Sequence, residues 1–253
     1  MVTLEDINVA QTRISPFIHR TPIYTCNSLN ELTGAKLYFK CDNFQKAGSF
    51  KIRGATNTVL QLSPEELNHG VITTSSGNHG AALALAATKQ GADVQVVMPN
   101  NTSRIKIQNV ERYGGKIIYC EPNHESRENT LKEMVERTGA IVVHPYNDER
   151  IVAGQGTAAN ELLTDLSSLD AIISPVSGGG LLCGTLLAAK GIDSNIKVYG
   201  AEPMGADDTY RSIQEGKIVP NKRVDTIADG LRAQVGTITF PIIQEMVDEI
   251  IPV

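Results

Sequence analysis

From Val71 onward the chain repeats one pattern: a short β-branched run closed by turn residues, then a longer segment with apolar residues at helical spacing. Runs at 71–74, 94–98, 116–120, 140–143, 171–176 and 197–201 read as strands. Segments at 79–90, 103–113, 126–138, 151–166 and 180–190 read as helices, with Gly91, Gly114 and Gly139 standing as C-terminal stops. A parallel strand pair needs a long crossover, and a helix between successive strands supplies it. The alternation therefore selects an α/β fold of open, mostly parallel sheets covered by helices. No self-similarity at a solenoid period and no biased linker is visible, so a second domain would arise by insertion.

Composition narrows the function classes. The 253 residues suffice for one large or two medium domains. The 23 Lys and Arg against 28 Asp and Glu give a net charge of -5. That leaves no basic field for a nucleic acid or an anionic membrane surface. The longest purely apolar run, 81–87, falls far short of the ~20 residues that span a bilayer, and the opening MVTLEDINVA lacks a basic-then-apolar export signal. A cytoplasmic protein acting on small molecules is expected. Cys26, Cys41, Cys120 and Cys183 form no CxxC pair and are expected as buried small hydrophobes in a reducing compartment.

In open α/β sheets ligands sit at the carboxyl ends of strands. Two loops hold that position: Ser75-Ser76-Gly77-Asn78-His79-Gly80 after VITT, and Ser177-Gly178-Gly179-Gly180 after AIISPV. Three glycines before a helix leave backbone amides unobstructed, and the helix end adds about half a positive charge, so the second loop reads as a phosphate cradle. A tight structural turn is the alternative. The loop is not a Walker A sequence, since no Gly-Lys-Ser/Thr follows. Nor is it a dinucleotide fingerprint, because Cys183 stands where the third glycine would fall. Lys51, in Ser49-Phe50-Lys51-Ile52-Arg53-Gly54, lies between a turn and a helix with apolar neighbours. A desolvated lysine there would serve as an amine nucleophile or proton shuttle, and a solvated surface lysine is the alternative. Together these parts suffice to hold pyridoxal 5'-phosphate as a Schiff base.

SFKIRGA, SSGNHG, AGQGT and SGGGL, in this order, resemble the fold type II (tryptophan synthase β-like) pyridoxal-phosphate enzymes, specifically the serine racemase and serine/threonine dehydratase group. The similarity runs from about Ile7 to the last residue and includes YCEPNHESREN. The resemblance implies that Lys51 carries the cofactor and takes the Cα proton on one face of the substrate, with Ser76 the base on the opposite face. It further implies that Asn78 bonds the cofactor's phenolic oxygen and that Phe50 packs against its ring. Ser177, Gly178, Gly179, Gly180 and Leu181 would hold the phosphate, the Ser177 hydroxyl adding to the cradle. Ser75, Ser76, Asn78 and His79 would receive the substrate. His19, His69, His124 and His144 are expected to be structural.

Glu202-Pro203-Met204-Gly205-Ala206-Asp207-Asp208 offers hard oxygen ligands that suit Mg²⁺, Mn²⁺ or Ca²⁺; a solvated helix start capped by Asp is the alternative. The resemblance implies an ion at Glu202, the Ala206 carbonyl and Asp208, stabilising rather than catalytic. It also implies a large cofactor-binding domain of residues 1–72 and 146–253, with a small domain, 73–145, inserted and the cofactor in the cleft between. Family members continue past the position of Val253, so the chain is expected to lack their C-terminal part. The expected substrate is L-serine or a related β-hydroxy amino acid, racemised or dehydrated, and the expected assembly is a homodimer. A threonine or threo-3-hydroxyaspartate ammonia-lyase, and an inactive cofactor-binding fragment, are the alternatives.

Overall fold

The computed structural model describes residues 2–75, 77–166, 168–221 and 224–253. Ahead of the alternating region, α1 (Leu4–Ile14) starts where the Thr3 and Asp6 side chains accept each other's backbone amides, and it buries Ile7, Ala10 and Ile14. β1 (Ile23–Thr25) and β2 (Tyr38–Lys40) form an antiparallel ribbon enclosing α2 (Asn27–Thr33), with Ile23 opposite Lys40. α3 (Lys51–Val59) and α4 (Pro64–His69) follow, α4 opened by a second capping box between Ser63 and Glu66.

The alternating region builds two parallel sheets. β3 (Val71–Thr74), β4 (Val94–Pro99), β5 (Lys116–Cys120) and β6 (Ile141–Val142) assemble in the order β5-β4-β3-β6. Their crossovers are α5 (Asn78–Thr88), α6 (Arg104–Arg112) and α7 (His124–Thr138). After α8 (Glu149–Asp165), β7 (Ala171–Pro175), β8 (Lys197–Glu202) and β9 (Glu249–Pro252) pair in that order, connected through α9 (Gly180–Ile192), α10 (Asp208–Glu215) and α11 (Thr239–Met246). The α/β class read from the alternation is the class observed. Boundaries shift where polar caps act: α7 and α8 begin earlier than their apolar spacing suggests, because Asn123 and Asp148 accept amides of the first turns. The strand expected at 140–143 contracts to Ile141–Val142. Gly91, Gly114 and Gly139 all adopt positive φ where helices stop.

One core, around Leu182, Leu186, Val198 and Ile243, lies beneath the second sheet. Another joins Ile14, Ile52 and Ile151 to Leu83 and Met98 beside the first. α8 packs against both α3 and α9, and paired glycines allow the approach. A Cβ on Gly154 would collide with Gly54, and one on Gly184 with Gly156. Gln155 fastens the first of these contacts by accepting the Gly54 amide at 3.2 Å. On α3, the buried Arg53 guanidinium is held by Asp42 at 2.7 and 2.9 Å and by Glu161 of α8 at 2.7 and 3.0 Å, with Lys40 of β2 also on Glu161 at 2.6 Å. These ion pairs fix α3 to the ribbon and to α8. Among the described residues no helix is long and apolar enough to cross a membrane.

Candidate active site

Lys51 is the first residue of α3. Its amine donates to the Pro145 carbonyl at 2.8 Å and lies 5.2 Å from the centroid of the Phe50 ring. Burial lowers its pKa from 10.5 to about 8. At neutral pH roughly a tenth of such amines carry a free lone pair, against less than about one in a thousand for a solvated lysine. The amine is thus turned onto a backbone carbonyl in a partly buried position, not displayed to solvent.

The loop after β3 turns into α5. Ser76 lies outside the described residues. Gly77 at the N-cap has no side chain, and the Ser75 hydroxyl takes over, accepting the Gly80 amide at 3.1 Å and the Gly77 amide at 3.3 Å. Its own O–H is what it can still donate. Asn78 is exposed on the first turn. His79 is buried, and its Nε2 lies 3.2 Å from the Val143 carbonyl, which it serves as donor. The other ring nitrogen, Nδ1, is buried with no partner among the described residues. Desolvation, reinforced by Lys51, pushes the pKa of His79 to about 3, so the ring is neutral.

The loop after β7 reaches α9 through Gly179, whose φ of 91° only glycine tolerates without strain and which provides no side-chain cap. Gly178 lies flat against the Tyr146 ring, leaving no room for a Cβ. Gly180 also faces Tyr146, and Leu181 is half-buried on the first turn. Thr239 secures the loop by donating to the Gly178 carbonyl at 2.7 Å. The Ser177 hydroxyl is engaged elsewhere, donating to the Ala233 carbonyl at 3.0 Å and accepting the Ala233 amide at 2.9 Å. The hydroxyl thereby clamps the distant segment 224–238.

The segment 143–147 connects both loops. Val143 meets His79, Pro145 meets Lys51, and Tyr146 meets Gly178. Asn147 accepts the Ile238 amide at 2.7 Å and donates to Thr237 at 3.0 Å. His144, expected to be structural, feels the Lys51 charge. Arg127, from α7, bonds the Cys120 thiol and has a buried Nε with no partner among the described residues. Burial raises the Tyr146 phenol, with Asp208 and Glu128 adding to the effect and Arg127 opposing it. At the outer side, Lys106 of α6 pairs with Asp229 at 2.6 Å. No sequence motif announces His144 or Tyr146, and YCEPNHESREN contains Arg127 without singling it out; their contacts appear only in three dimensions. Cys26 and Cys41 also depart from expectation, being half-buried, and Cys41 donates to the Phe39 carbonyl.

The acidic stretch is not solvated. Glu202 and Asp208 are fully buried. It is Glu202 that caps α10, accepting the Thr209 and Tyr210 amides at 3.1 and 2.9 Å, while Asp207 makes no cap. Asp208 accepts from Asn221 and from the Val235 amide, each at 2.8 Å. Burial raises both carboxyls, Glu202 to about 7, with the Asp208 charge adding to the rise at Glu202. Ala206 is buried between them in sequence. Among the described residues no three of His, Cys, Asp and Glu gather as a metal-ligating group.

The family profile described as pyridoxal-phosphate dependent enzyme matches residues 14–253. The chain belongs to this family. Its residues fit the cofactor: an amine of lowered pKa, an α9 terminus with no side-chain cap, and buried orphan nitrogens on His79 and Arg127 are the groups an anionic aldehyde and its amino-acid partner would satisfy. The chain is 48% identical over 250 residues to a serine racemase of Oryza sativa subsp. indica, covering 99% of this chain and 74% of the relative. It is 46% identical to a beta-hydroxyaspartate dehydratase of Paracoccus denitrificans (strain Pd 1222), covering 98% and 79%. The solved structure of maize serine racemase superposes with a TM-score of 0.98 at 47% identity, covering 100% of this chain and 77% of that one.

Proposed function

We propose that this pyridoxal-phosphate enzyme racemises serine and also dehydrates L-serine to pyruvate and ammonia. The observation that carries this reading is the Lys51 amine, desolvated and pinned beside the glycine loop's own support, the 143–147 segment. When bound, pyridoxal phosphate supplies an electron sink for the bond broken at Cα. Lys51 then holds or returns the Cα proton on one face, and Ser76, assigned by resemblance, serves the other; inversion requires such a pair. Amides of α9 at Gly179, Gly180 and Leu181 receive the phosphate, Phe50 flanks the ring, and Asn78 bonds its phenolic oxygen. The Ser75 hydroxyl and the buried Arg127 Nε are donors for the substrate's anionic groups, with His79 beside them. Neutral His79, its Nε2 hydrogen given to Val143, can accept a hydrogen bond at Nδ1 without taking the proton.

The 73–145 segment acts as the inserted small domain. A divalent cation, Mg²⁺ in preference to Mn²⁺ or Ca²⁺, bound by Glu202, the Ala206 carbonyl and Asp208, would relieve two buried carboxylates that repel each other. Homodimerisation through the ribbon is supported by the exposed apolar side chains of Tyr24, Leu32, Phe39 and Phe44. The four free thiols suit a cytoplasmic setting.

The test is to supply L-serine, L-threonine and threo-3-hydroxyaspartate and to follow D-serine, keto acid and ammonia. D-serine with pyruvate is expected from L-serine. Release from hydroxyaspartate alone would favour the second reading, to which the Paracoccus relative points.

A further inference from the structure

We propose that His144 is a positioning residue for the Lys51 amine: its ring nitrogen Nδ1 organises the turn that delivers the Pro145 carbonyl to Lys51. The inference rests on the reading of Lys51 given above. Nδ1 accepts the Asn147 amide at 2.9 Å and the Tyr146 amide at 3.3 Å. Two amides aimed at one nitrogen require that nitrogen to be unprotonated, which fixes the neutral tautomer with hydrogen on Nε2. Between these amides and His144 sits Pro145, whose carbonyl receives Lys51 at 2.8 Å. Proline has no amide of its own, so the turn is closed by the imidazole.

The same turn sets two other contacts. The Tyr146 ring meets His144 edge-on, with centroids 4.6 Å apart, and then covers Gly178. Asn147 holds the 237–238 backbone. One imidazole thus ties the lysine, the glycine loop and the segment 224–238 together. The charged and titratable groups facing it are Lys51 and Asp148, with His79 beyond. Burial, with Lys51 adding to it, holds His144 in the neutral form that the two bonds need. Without the turn, water reaches the amine, and Lys51 moves back toward ordinary lysine behaviour.

The test compares His144→Asn, whose side-chain oxygen falls near the position of Nδ1, with His144→Phe, which keeps the ring and loses the acceptor. Acetic anhydride labels lysines of the cofactor-stripped chain at a series of pH values, with exposed Lys132 as internal reference and peptide mass spectrometry as readout. At pH 8, labelling of Lys51 relative to Lys132 is expected to fall about fivefold in His144→Phe, the effect of about one pH unit of upward shift from a pKa of about 8, and to stay within about twofold of wild type in His144→Asn. Equal labelling in wild type and His144→Phe, or an equal loss in both variants, overturns the proposal. Nitrogen-15 NMR of the unsubstituted chain decides independently of variant folding: hydrogen on Nε2 supports the assignment and hydrogen on Nδ1 defeats it. Borohydride trapping of added pyridoxal phosphate at a lysine other than Lys51 would overturn the proposed function and leave the labelling and NMR results on His144 intact.

Discussion

At the scale of single residues, two groups carry the cost of a dry site, and each leaves a signature in stability. Lys51 titrates near pH 8 when folded and near 10.5 when unfolded. Between these values the unfolded chain binds the extra proton, so stability without cofactor should rise with pH across 8–10.5, by at most about 1.4 kcal/mol per pH unit. In Lys51→Met that rise should vanish and stability at pH 7 should exceed wild type, as urea unfolding at three pH values would show. His79 gives the acid-side counterpart. Its pKa is about 3 folded against 6.5 unfolded, so stability is fully present above pH 6.5 and declines as pH falls toward 3. His79→Gln should flatten this decline in an acid-unfolding series. Lys51 and His79 were legible in the sequence because a motif surrounds each. His144 was not, since its significance lies in the two backbone amides that stand across from it, and Arg127, though inside a matched stretch, is distinguished only by a buried Nε without a partner among the described residues.

At the scale of elements, close packing and buried charge set the position of the site. Arg53→Met would strand Asp42 and Glu161 in the interior and should cost about 3–5 kcal/mol in urea unfolding. Restoring neutrality with Glu161→Leu in the same chain should recover part of that loss. The glycine loop offers a second cycle. Gly178→Ala drives a methyl into the Tyr146 ring and should cost about 1–3 kcal/mol, and Tyr146→Ala in the same chain should relieve it. Strand and helix order after Val71 could be read from periodicity because each crossover obeys the same local rules. AGQGT could be matched as a motif, yet its physical reason, glycines that let α8 touch α3 and α9, appears only when the helices are packed. Glu202 shows the opposite limit. An acidic stretch suggests a solvated helix start, whereas the carboxylate turns inward and caps α10 from the preceding strand.

At the scale of the whole molecule, the apolar ribbon and the acidic pocket each make a prediction. Leu32 and Phe44 are 80% and 55% exposed, so replacing both with Asp should spare the fold and convert the expected dimer to monomer in sedimentation experiments. Adding Mg²⁺ at a hundred times its dissociation constant should stabilise the chain by about 2.7 kcal/mol, and Asp208→Asn should abolish the gain; thermal unfolding with and without the ion measures both. The pairing of Lys106 with Asp229 has a consequence of its own. It fastens α6, beside the first sheet, to the segment that Ser177 clamps beside the second. Being open to water, this tie is weakened by dissolved electrolyte, whereas the buried contacts deeper inside are shielded from it. Brine would therefore loosen this outer strap between the two halves before it disturbed the interior contacts.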